Sequence, residues 1–355
     1  MSASPFDHPF LTGLLGDVEI AARFSADADI AAMVRFEIAL ARAEAAEGVI
    51  GSDSVDAIER GLSNFEPDMS ALRDGVARDG VVIPALVKAM RQTVETPHGE
   101  KVHFGATSQD AIDTSLALRL GDVLAVMETR LRDVVATLQS LEATQGSAEV
   151  MAHTRMQAAI PVTAARKIAS WRLPLERHLE RLEGVRHGIR VLSFAGAAGT
   201  LEKLGDKGPA VRARLAEELG LRDVDHPRHS ERDGQAALAS WLSLVTGSLG
   251  KIGQDIALMA QNEVGEVKLA GGGGSSAMPH KQNPVGAEVL VTLARFNATL
   301  LAGMHQSLVH ENERSGAAWT LEWMLLPQMS VAAGASLRTA AALLDGLQFQ
   351  ARGTR

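Results

Sequence analysis

The chain has 355 residues, a formal net charge of −8 and no cysteine. The lack of cysteine excludes disulfides, thiolate metal sites and a cysteine nucleophile, and the negative charge leaves no basic face for nucleic acid. Hydrophobic residues make up 46% of the chain but aromatic residues only 4%, so we expect a core of aliphatic side chains packed between helices.

The start of the sequence gives no sign of export. Residues 1–10 lack a basic segment followed by an apolar run. No stretch of the sequence approaches the roughly 18 uninterrupted apolar residues of a membrane span. We therefore expect a cytoplasmic protein with no membrane and no nucleic acid among its partners.

Helical spacing begins near the N-terminus. From Asp27 to Glu47 the apolar residues recur on one side, and Gly48 is placed to end this helix. Shorter helical segments follow through Leu72, the composition loosens over 73–80, and a helix resumes over 84–90.

The run Thr96-Pro97-His98-Gly99 is a strong helix breaker. We place a domain boundary there, which gives an N-terminal helical domain over residues 1–98. A central domain of long helices is then expected over 99–328, followed by a shortened C-terminal helix over 329–355.

Five long helices are predicted, because apolar residues recur at steps of three and four over long segments. A helix is expected to begin near Pro161 and to be kinked at Pro174. No run shows the alternation typical of a strand. The fold class is therefore all-α, a long helical bundle. The apolar seam of the helices can pack within one chain or between chains, and the helix lengths favour a core shared by an oligomer. The segments that carry the repeat are Leu116 to Leu141, Ile168 to Val185, Leu242 to Met259, Val289 to Met304 and Val331 to Leu347.

A glycine-rich segment, residues 271–284, interrupts this helical pattern. Its four consecutive glycines are too costly in backbone entropy for a helix or strand interior, and they predict a mobile hinge. Two hydroxyls, an imidazole, an ammonium and an amide follow directly, between prolines that stiffen the far end. We interpret the segment as a lid that closes over an anionic substrate.

Three further segments gather polar groups at predicted helix ends: residues 103–110, residues 153–157 and residues 229–233. Cations in or near these segments are suited to holding several carboxylates. Each residue also has an ordinary interpretation, such as a helix cap, a core histidine or a surface ion pair. The histidines lack the spacing of metal ligands, and no phosphate-binding GxxxxGK[ST] motif is present.

The lid sequence resembles a known signature. Gly274 to Pro284 is similar to the signature of the fumarase/aspartase superfamily, which includes argininosuccinate lyase, adenylosuccinate lyase and 3-carboxy-cis,cis-muconate cycloisomerase. His103 to Asp110 resembles the first shared region of that superfamily, and Thr154 to Gln157 the second. The run Glu313 to Trp319, followed by Glu322-Trp323, most resembles the bacterial cycloisomerases.

The resemblance implies a mainly helical homotetramer with active sites built from three subunits. It implies a cofactor-free and metal-free reaction on a small anionic tricarboxylate, the cyclisation of 3-carboxy-cis,cis-muconate to 4-carboxymuconolactone. In that reaction a proton moves at the carbon next to a carboxylate, through an aci-carboxylate. The site therefore needs cations and amides on the carboxylate and a positioned acid or base at carbon.

The resemblance also assigns roles to individual residues. The residues implied for catalysis are Ser275, which is the lid serine, and Ser276, Lys281, Glu288 and Arg155. The residues implied for substrate binding are His103, Thr107, Ser108, His153, Gln157, Asn283 and Arg314.

One position departs from the lyases of the superfamily. They carry a histidine where this chain has Arg155, and His153 lies two residues earlier. This departure argues against lyase chemistry, whose leaving group would lose its acid, more than against a cycloisomerase. An adenylosuccinate- or argininosuccinate-type lyase, a sulfomuconate cycloisomerase and a catalytically silent structural relative stay open as alternatives.

Overall fold

The computed structural model describes residues 4–274, 278 and 281–350. Within those residues the protein is mainly helical, which confirms the all-α fold class. The α-helices are α1 (Thr12–Leu15), α2 (Val18–Ala22), α3 (Ala26–Ala46), α4 (Ser52–Leu62), α5 (Met69–Asp79), α6 (Ile83–Thr93), α7 (Ser108–Gln145), α8 (Ala164–Ile189), α9 (Gly208–Leu219), α10 (Asp233–Met259), α11 (Val285–Gln306) and α12 (Gly316–Leu344). Short 3-10 helices cover His98–Lys101 and Glu202–Lys207.

Five long helices, α7, α8, α10, α11 and α12, form the central bundle. At about 1.5 Å per residue, the 38 residues of α7 extend over roughly 57 Å. The residues at the three-and-four spacing are buried, as predicted: on α10, Leu242, Val245, Leu249, Ile252 and Ile256 are 0% exposed. Helix α10 packs against α8, α11 and α12, so it is the central member of the bundle.

Two glycines let α10 and α11 approach closely. A Cβ atom on Gly253 would lie 2.5 Å from the carbonyl oxygen of Ala287, and one on Gly250 would lie 2.5 Å from the Cβ of Ala294. Any larger residue at either position would force the helices apart. These glycines therefore fix the distance between α10 and the helix that follows the lid.

Several helix boundaries differ from the predicted ones. Helix α12 begins at Gly316 and continues past Pro327, so its start was placed too late. Helix α5 occupies 69–79, so the chain stays helical beyond Leu72, where the sequence indicated only a looser composition. Few of its residues are buried, and a mostly exposed helix shows little apolar periodicity. Helix α8 is continuous through Pro174, and the predicted kink stays a prediction.

The sequence also failed to indicate a β-hairpin. Strands β1 (Glu149–Thr154) and β2 (Gln157–Thr163) pair antiparallel, and the helix predicted to begin near Pro161 begins at Ala164, directly after β2. Nearly all side chains of β2 are exposed, and an exposed strand needs no alternation of apolar and polar residues. A second small sheet pairs β3 (Val267–Lys268) with β4 (Gln348–Phe349).

A second hydrophobic cluster lies beside the bundle. It is formed by α3 to α6, the first turns of α7, and residues 192–221. Helix α3 ends at Ala46, and Gly48 follows with a φ of +66°, as its position predicted. The division of the chain at residues 98 and 328 stays a prediction.

Helix α11 is the one helix of the described residues that is long and apolar enough, by length and composition alone, to cross a membrane. Only 28% of its most apolar 18-residue window is buried within the chain. One face packs on α10 and α12, further apolar residues are partly buried against the same core, and the residues of α11 left exposed by the single chain are polar or alanine.

Candidate active site

The predicted site residues fall into three groups, each lining a different cavity of the single chain. Gln157 and Arg314 lie outside the linings of these cavities, and Ser275 and Ser276 lie outside the described residues. The groups are His103, Thr107 and Ser108 in the first cavity, His153 and Arg155 in the second, and Lys281, Asn283 and Glu288 in the third.

The first group lies at the start of the longest helix. Thr107 and Asp110 form a capping box, in which the amide of Thr107 donates to a carboxylate oxygen of Asp110 at 3.0 Å. Ser108 is the first residue of α7, so free helix amides lie beside its hydroxyl. The cavity of about 510 Å³ in front of these residues is closed on its other side by α6.

His103 lies in this cavity wall and is paired with a buried carboxylate. Its Nδ1 lies 2.6 Å from Oε1 of Glu37, which is 1% exposed. Burial acts to lower the pKa of His103, but the charge of Glu37 and its hydrogen bond act the other way, and the pKa is raised. The residue adopts a φ of +63°, a strained backbone for a side chain of this size. The Glu37 carboxylate thus favours the protonated form of His103 at the cavity.

Asp110 connects the first group to two other segments. Its carboxylate accepts from the amides of Ala195 and Gly196, each at 3.0 Å, and lies 2.7 Å from Nε2 of His229. Asp110 is 0% exposed. One buried carboxylate therefore fixes the start of α7, the loop at 195–196 and the segment before α10 in a single arrangement.

The side chain of Gln109 binds Arg314, a predicted site residue more than 200 positions later in the sequence. Nε of Arg314 donates to Oε1 of Gln109 at 2.9 Å, and its Nη2 donates to the carbonyl of Ala197 at 3.3 Å. The Gln109 amide in turn donates to Asp113 and to the carbonyl of His229. Arg314 is therefore close to the first group, although it does not line the cavity.

Behind this group lies a buried ion cluster. Arg232 donates to both Asp113 and Glu322 at 2.6 Å, and these side chains are between 1% and 6% exposed. Burial acts to lower the pKa of Arg232, yet the two carboxylates outweigh it and raise the pKa. The indole of Trp319 also donates to Asp113, at 3.0 Å. The cluster joins α7, α10 and α12 next to the candidate site.

The second group lies on the hairpin. Arg155 and Met156 form the two-residue turn between β1 and β2, with φ values of +49° and +66°. His153 is on β1 opposite Ala158, and Gln157 pairs with Thr154 at the end of the ladder. The cavity beside them, of about 580 Å³, is also lined by Arg166, Lys167, Lys251, Asp255 and Glu266.

The third group lies where the lid joins α11. The backbones of Gly273 and Asn283 exchange two hydrogen bonds of 2.9 Å, so the two ends of the lid are paired. A Cβ on Gly273 would lie 2.5 Å from Cγ2 of Val285, which explains a glycine at this position. The predicted mobile hinge stays a prediction. Glu288 is exposed in the first turn of α11.

The third cavity, of about 650 Å³, shares Leu258 and Gln261 with the second. These two cavities therefore adjoin each other at the C-terminal end of α10. Within the described residues, no three His, Asp or Glu side chains are grouped in a way that would hold a metal ion.

Sequence reasoning missed several residues of the first cavity. Glu37 behind His103, and Lys88 and Arg91 on α6, come from the region read as ordinary helices. Asp110 had a detectable signal, because a Thr with an Asp three residues later marks a helix start. Nothing in the local sequence links Glu37 to His103, since they are 66 positions apart.

Comparison with known proteins places the chain in a family. A family model described as lyase matches residues 19–297. A 3-carboxy-cis,cis-muconate cycloisomerase from Pseudomonas aeruginosa is 40% identical over 338 residues, which are 94% of this chain and 74% of that protein. The crystal structure of 3-carboxy-cis,cis-muconate lactonizing enzyme from Pseudomonas putida has 37% identity and a TM-score of 0.90, covering 97% of this chain and 78% of that chain.

A fumarate lyase structure from Mesorhizobium is similar as well, with 35% identity and a TM-score of 0.88 over 94% of this chain and 76% of that one. These matches confirm the resemblance first seen in the lid and the shared regions. The chain belongs to the lyase family of the fumarase/aspartase superfamily.

Proposed function

We propose that this protein is a 3-carboxy-cis,cis-muconate cycloisomerase, which converts its substrate to 4-carboxymuconolactone. The observation that carries the proposal is that four bacterial proteins of that name are 34–40% identical to this chain over 92–97% of its length. The chemistry of the three groups supports it, because each brings cations, hydroxyls or amides that suit an anionic substrate.

The reaction joins two parts of one molecule. A carboxylate oxygen of the substrate forms a C–O bond to an alkene carbon, and the displaced π electrons move towards the neighbouring carboxylate as an aci-carboxylate. Lys281, Asn283, Thr107 and Ser108 are proposed to stabilise that extra charge. Ser275 is proposed to deliver the proton to carbon, which completes the lactone.

In this scheme Arg155 occupies the position at which the lyases carry a histidine, and it does not act as an acid. The attacking carboxylate is already ionised and needs no proton, so a fixed cation that orients it suffices. Arg155 at the hairpin turn, with His153 on the adjacent strand, is proposed for that role. Gln157, Glu288 and Arg314 are proposed to support substrate binding and the lid serine.

We further propose a cytoplasmic homotetramer in which each site takes one group from each of three subunits. Two features support this: the three groups line different cavities of one chain, and only 28% of the most apolar window of α11 is buried within that chain. Packing α11 against copies of itself would cover that surface and gather the groups.

The activity is tested by loss of the conjugated-diene ultraviolet absorbance when purified protein is added to 3-carboxy-cis,cis-muconate. We expect rapid loss with wild type, a loss of turnover by at least 100-fold in Ser275→Ala, and unchanged turnover in the control Ser63→Ala, an exposed residue directly after α4. Unchanged turnover in Ser275→Ala would overturn the serine assignment. No absorbance change with wild type would overturn the function.

Shared sites are tested by mixing two inactive variants. Ser275→Ala and Arg155→Ala alter different groups, so mixed tetramers would contain some sites in which both residues are intact. We expect co-refolded mixtures to regain activity that neither variant shows when refolded alone. Mixtures that stay inactive, although mass measurement shows mixed tetramers, would contradict sharing of these groups.

A lyase of succinyl compounds is the second candidate. Relatives described as N-acetyl-S-(2-succino)cysteine lyases are 30% identical over nearly the whole chain. Release of fumarate from adenylosuccinate, argininosuccinate or N-acetyl-S-(2-succino)cysteine would favour this function. The same absorbance assay with the sulfonated muconate decides between a carboxylate and a sulfonate substituent, and inactivity in all assays would indicate a silent structural relative.

A further inference from the structure

The first cavity has a second wall of positive charge that the shared motifs do not include. Helix α6 contributes Lys88 and Arg91 to the lining, and their i and i+3 spacing places both on one face of the helix. The other polar lining residues are Gln92, His103, Thr107 and Ser108, and the lining contains no carboxylate. A cavity with only cationic and neutral polar groups is suited to an anion with several charges.

Arg91 has a local partner that explains its presence. Its Nε and Nη2 donate to the carbonyl of Val102 at 3.3 and 2.9 Å, directly before His103 in sequence. The end of α6 also packs closely on the next turn, since a Cβ on Gly99 would lie 2.5 Å from the carbonyl oxygen of Arg91. Arg91 therefore positions the segment that carries His103.

Lys88 differs from Arg91 in having no such role. It is exposed, one turn earlier on α6, and it forms no ion pair within the part of the chain that the structure describes. His103 also lies in this lining, but its Nδ1 is already bound to Glu37. The ammonium of Lys88 is thus available for an anion in the cavity.

We propose that Lys88 is a specificity-determining residue, which binds the carboxylate by which a tricarboxylate differs from a dicarboxylate. This inference rests on the proposed function for the identity of the substrate. Thr107, Ser108 and His103 are suited to one carboxylate group at the start of α7. A further carboxylate on the α6 side of the cavity then meets Lys88, and a substrate without it leaves the ammonium unpaired.

The first test measures binding without turnover. Calorimetric titrations with tricarballylate and with glutarate compare a tricarboxylate and a dicarboxylate on the full-length wild type and on Lys88→Met. We expect tricarballylate to bind about tenfold more weakly to Lys88→Met and glutarate to change less than threefold. The control Lys268→Met alters an exposed lysine of β3 outside the cavity and is expected to change neither affinity.

The second test measures turnover of 3-carboxy-cis,cis-muconate. Lys88→Met is expected to raise KM about tenfold with kcat within about twofold, and Lys88→Arg is expected to restore most of the loss. Equal weakening of tricarballylate and glutarate, unchanged affinity for both, or wild-type protein that binds neither would overturn the proposal. Wild type that binds tricarballylate through Lys88 but converts no muconate would contradict the proposed function alone.

Discussion

Glu44 on α3 is a buried acid whose carboxylate is left without hydrogen bonds. The residue is 0% exposed, and neither carboxylate oxygen has a partner in the described structure. Burial, aided by the charge of Glu37, raises the pKa of Glu44 from 4.5 to about 9. Glu44 is therefore protonated in the folded protein at neutral pH, whereas it is ionised in the unfolded chain.

This difference makes the stability of the protein depend on pH. Between about pH 4.5 and 9 the folded state binds one more proton at Glu44 than the unfolded state. The contribution of Glu44 is therefore complete below pH 4.5 and is lost as pH rises towards 9. One proton corresponds to about 1.4 kcal/mol per pH unit, so the free energy of unfolding falls by up to about 3 kcal/mol from pH 6 to pH 8 through this group.

The substitution Glu44→Gln keeps the shape of the side chain and removes its titration. We expect the loss of stability between pH 6 and pH 8 to be smaller in Glu44→Gln than in wild type by up to about 3 kcal/mol. Urea unfolding at pH 6, 7 and 8, at a fixed protein concentration, measures the free energy of unfolding of each protein. The control is Glu47→Gln at the end of the same helix, which pairs with Arg214 near the surface. Parallel pH dependences for wild type and Glu44→Gln would refute the reasoning.

Three other buried groups lead to predictions about stability and assembly of the site. Asp110→Asn turns an amide donor towards backbone amides and is expected to cost about 2–4 kcal/mol and to raise KM, measured by urea unfolding and steady-state kinetics. Arg232→Met leaves two buried carboxylates unpaired and is expected to cost about 3–5 kcal/mol, whereas the same change at exposed Arg60 is expected to cost under 1 kcal/mol; equal midpoints of unfolding would contradict this. Trp319→Phe removes the indole donor to Asp113 and is expected to lower stability by about 1–3 kcal/mol in urea; a midpoint equal to that of wild type would count against that bond.

The sequence was sufficient to predict the bundle because its helices are buried along one regular face. The strict repeat on α10 identifies residues that are fully buried. The hairpin at 149–163 could not be predicted in this way, because backbone pairing stabilises it while most of β2 is exposed. Helix α5 was missed for a related reason, since its surface position leaves few apolar residues to reveal the period.

The candidate site was predictable where its residues are adjacent in sequence and not where tertiary packing brings them together. Thr107 and Ser108 were found because a cap and a helix start are local features. Glu37 reaches His103, and Lys88 reaches the cavity, from other helices, and no sequence spacing records that approach.

The run from Glu313 to Trp323 shows that a segment can be diagnostic of a group of enzymes without contacting the substrate. This run indicated a cycloisomerase most specifically, yet its described contacts are structural: Arg314 holds Gln109, Trp319 holds Asp113, and Glu322 holds Arg232. It fixes the start of α7 instead of lining a cavity. Differences in chemistry between members of this superfamily are then expected at positions facing the cavities, on α6 and at the hairpin turn. Exchanging those positions, with the buried cluster kept intact, is the change that should alter substrate choice without loss of the fold.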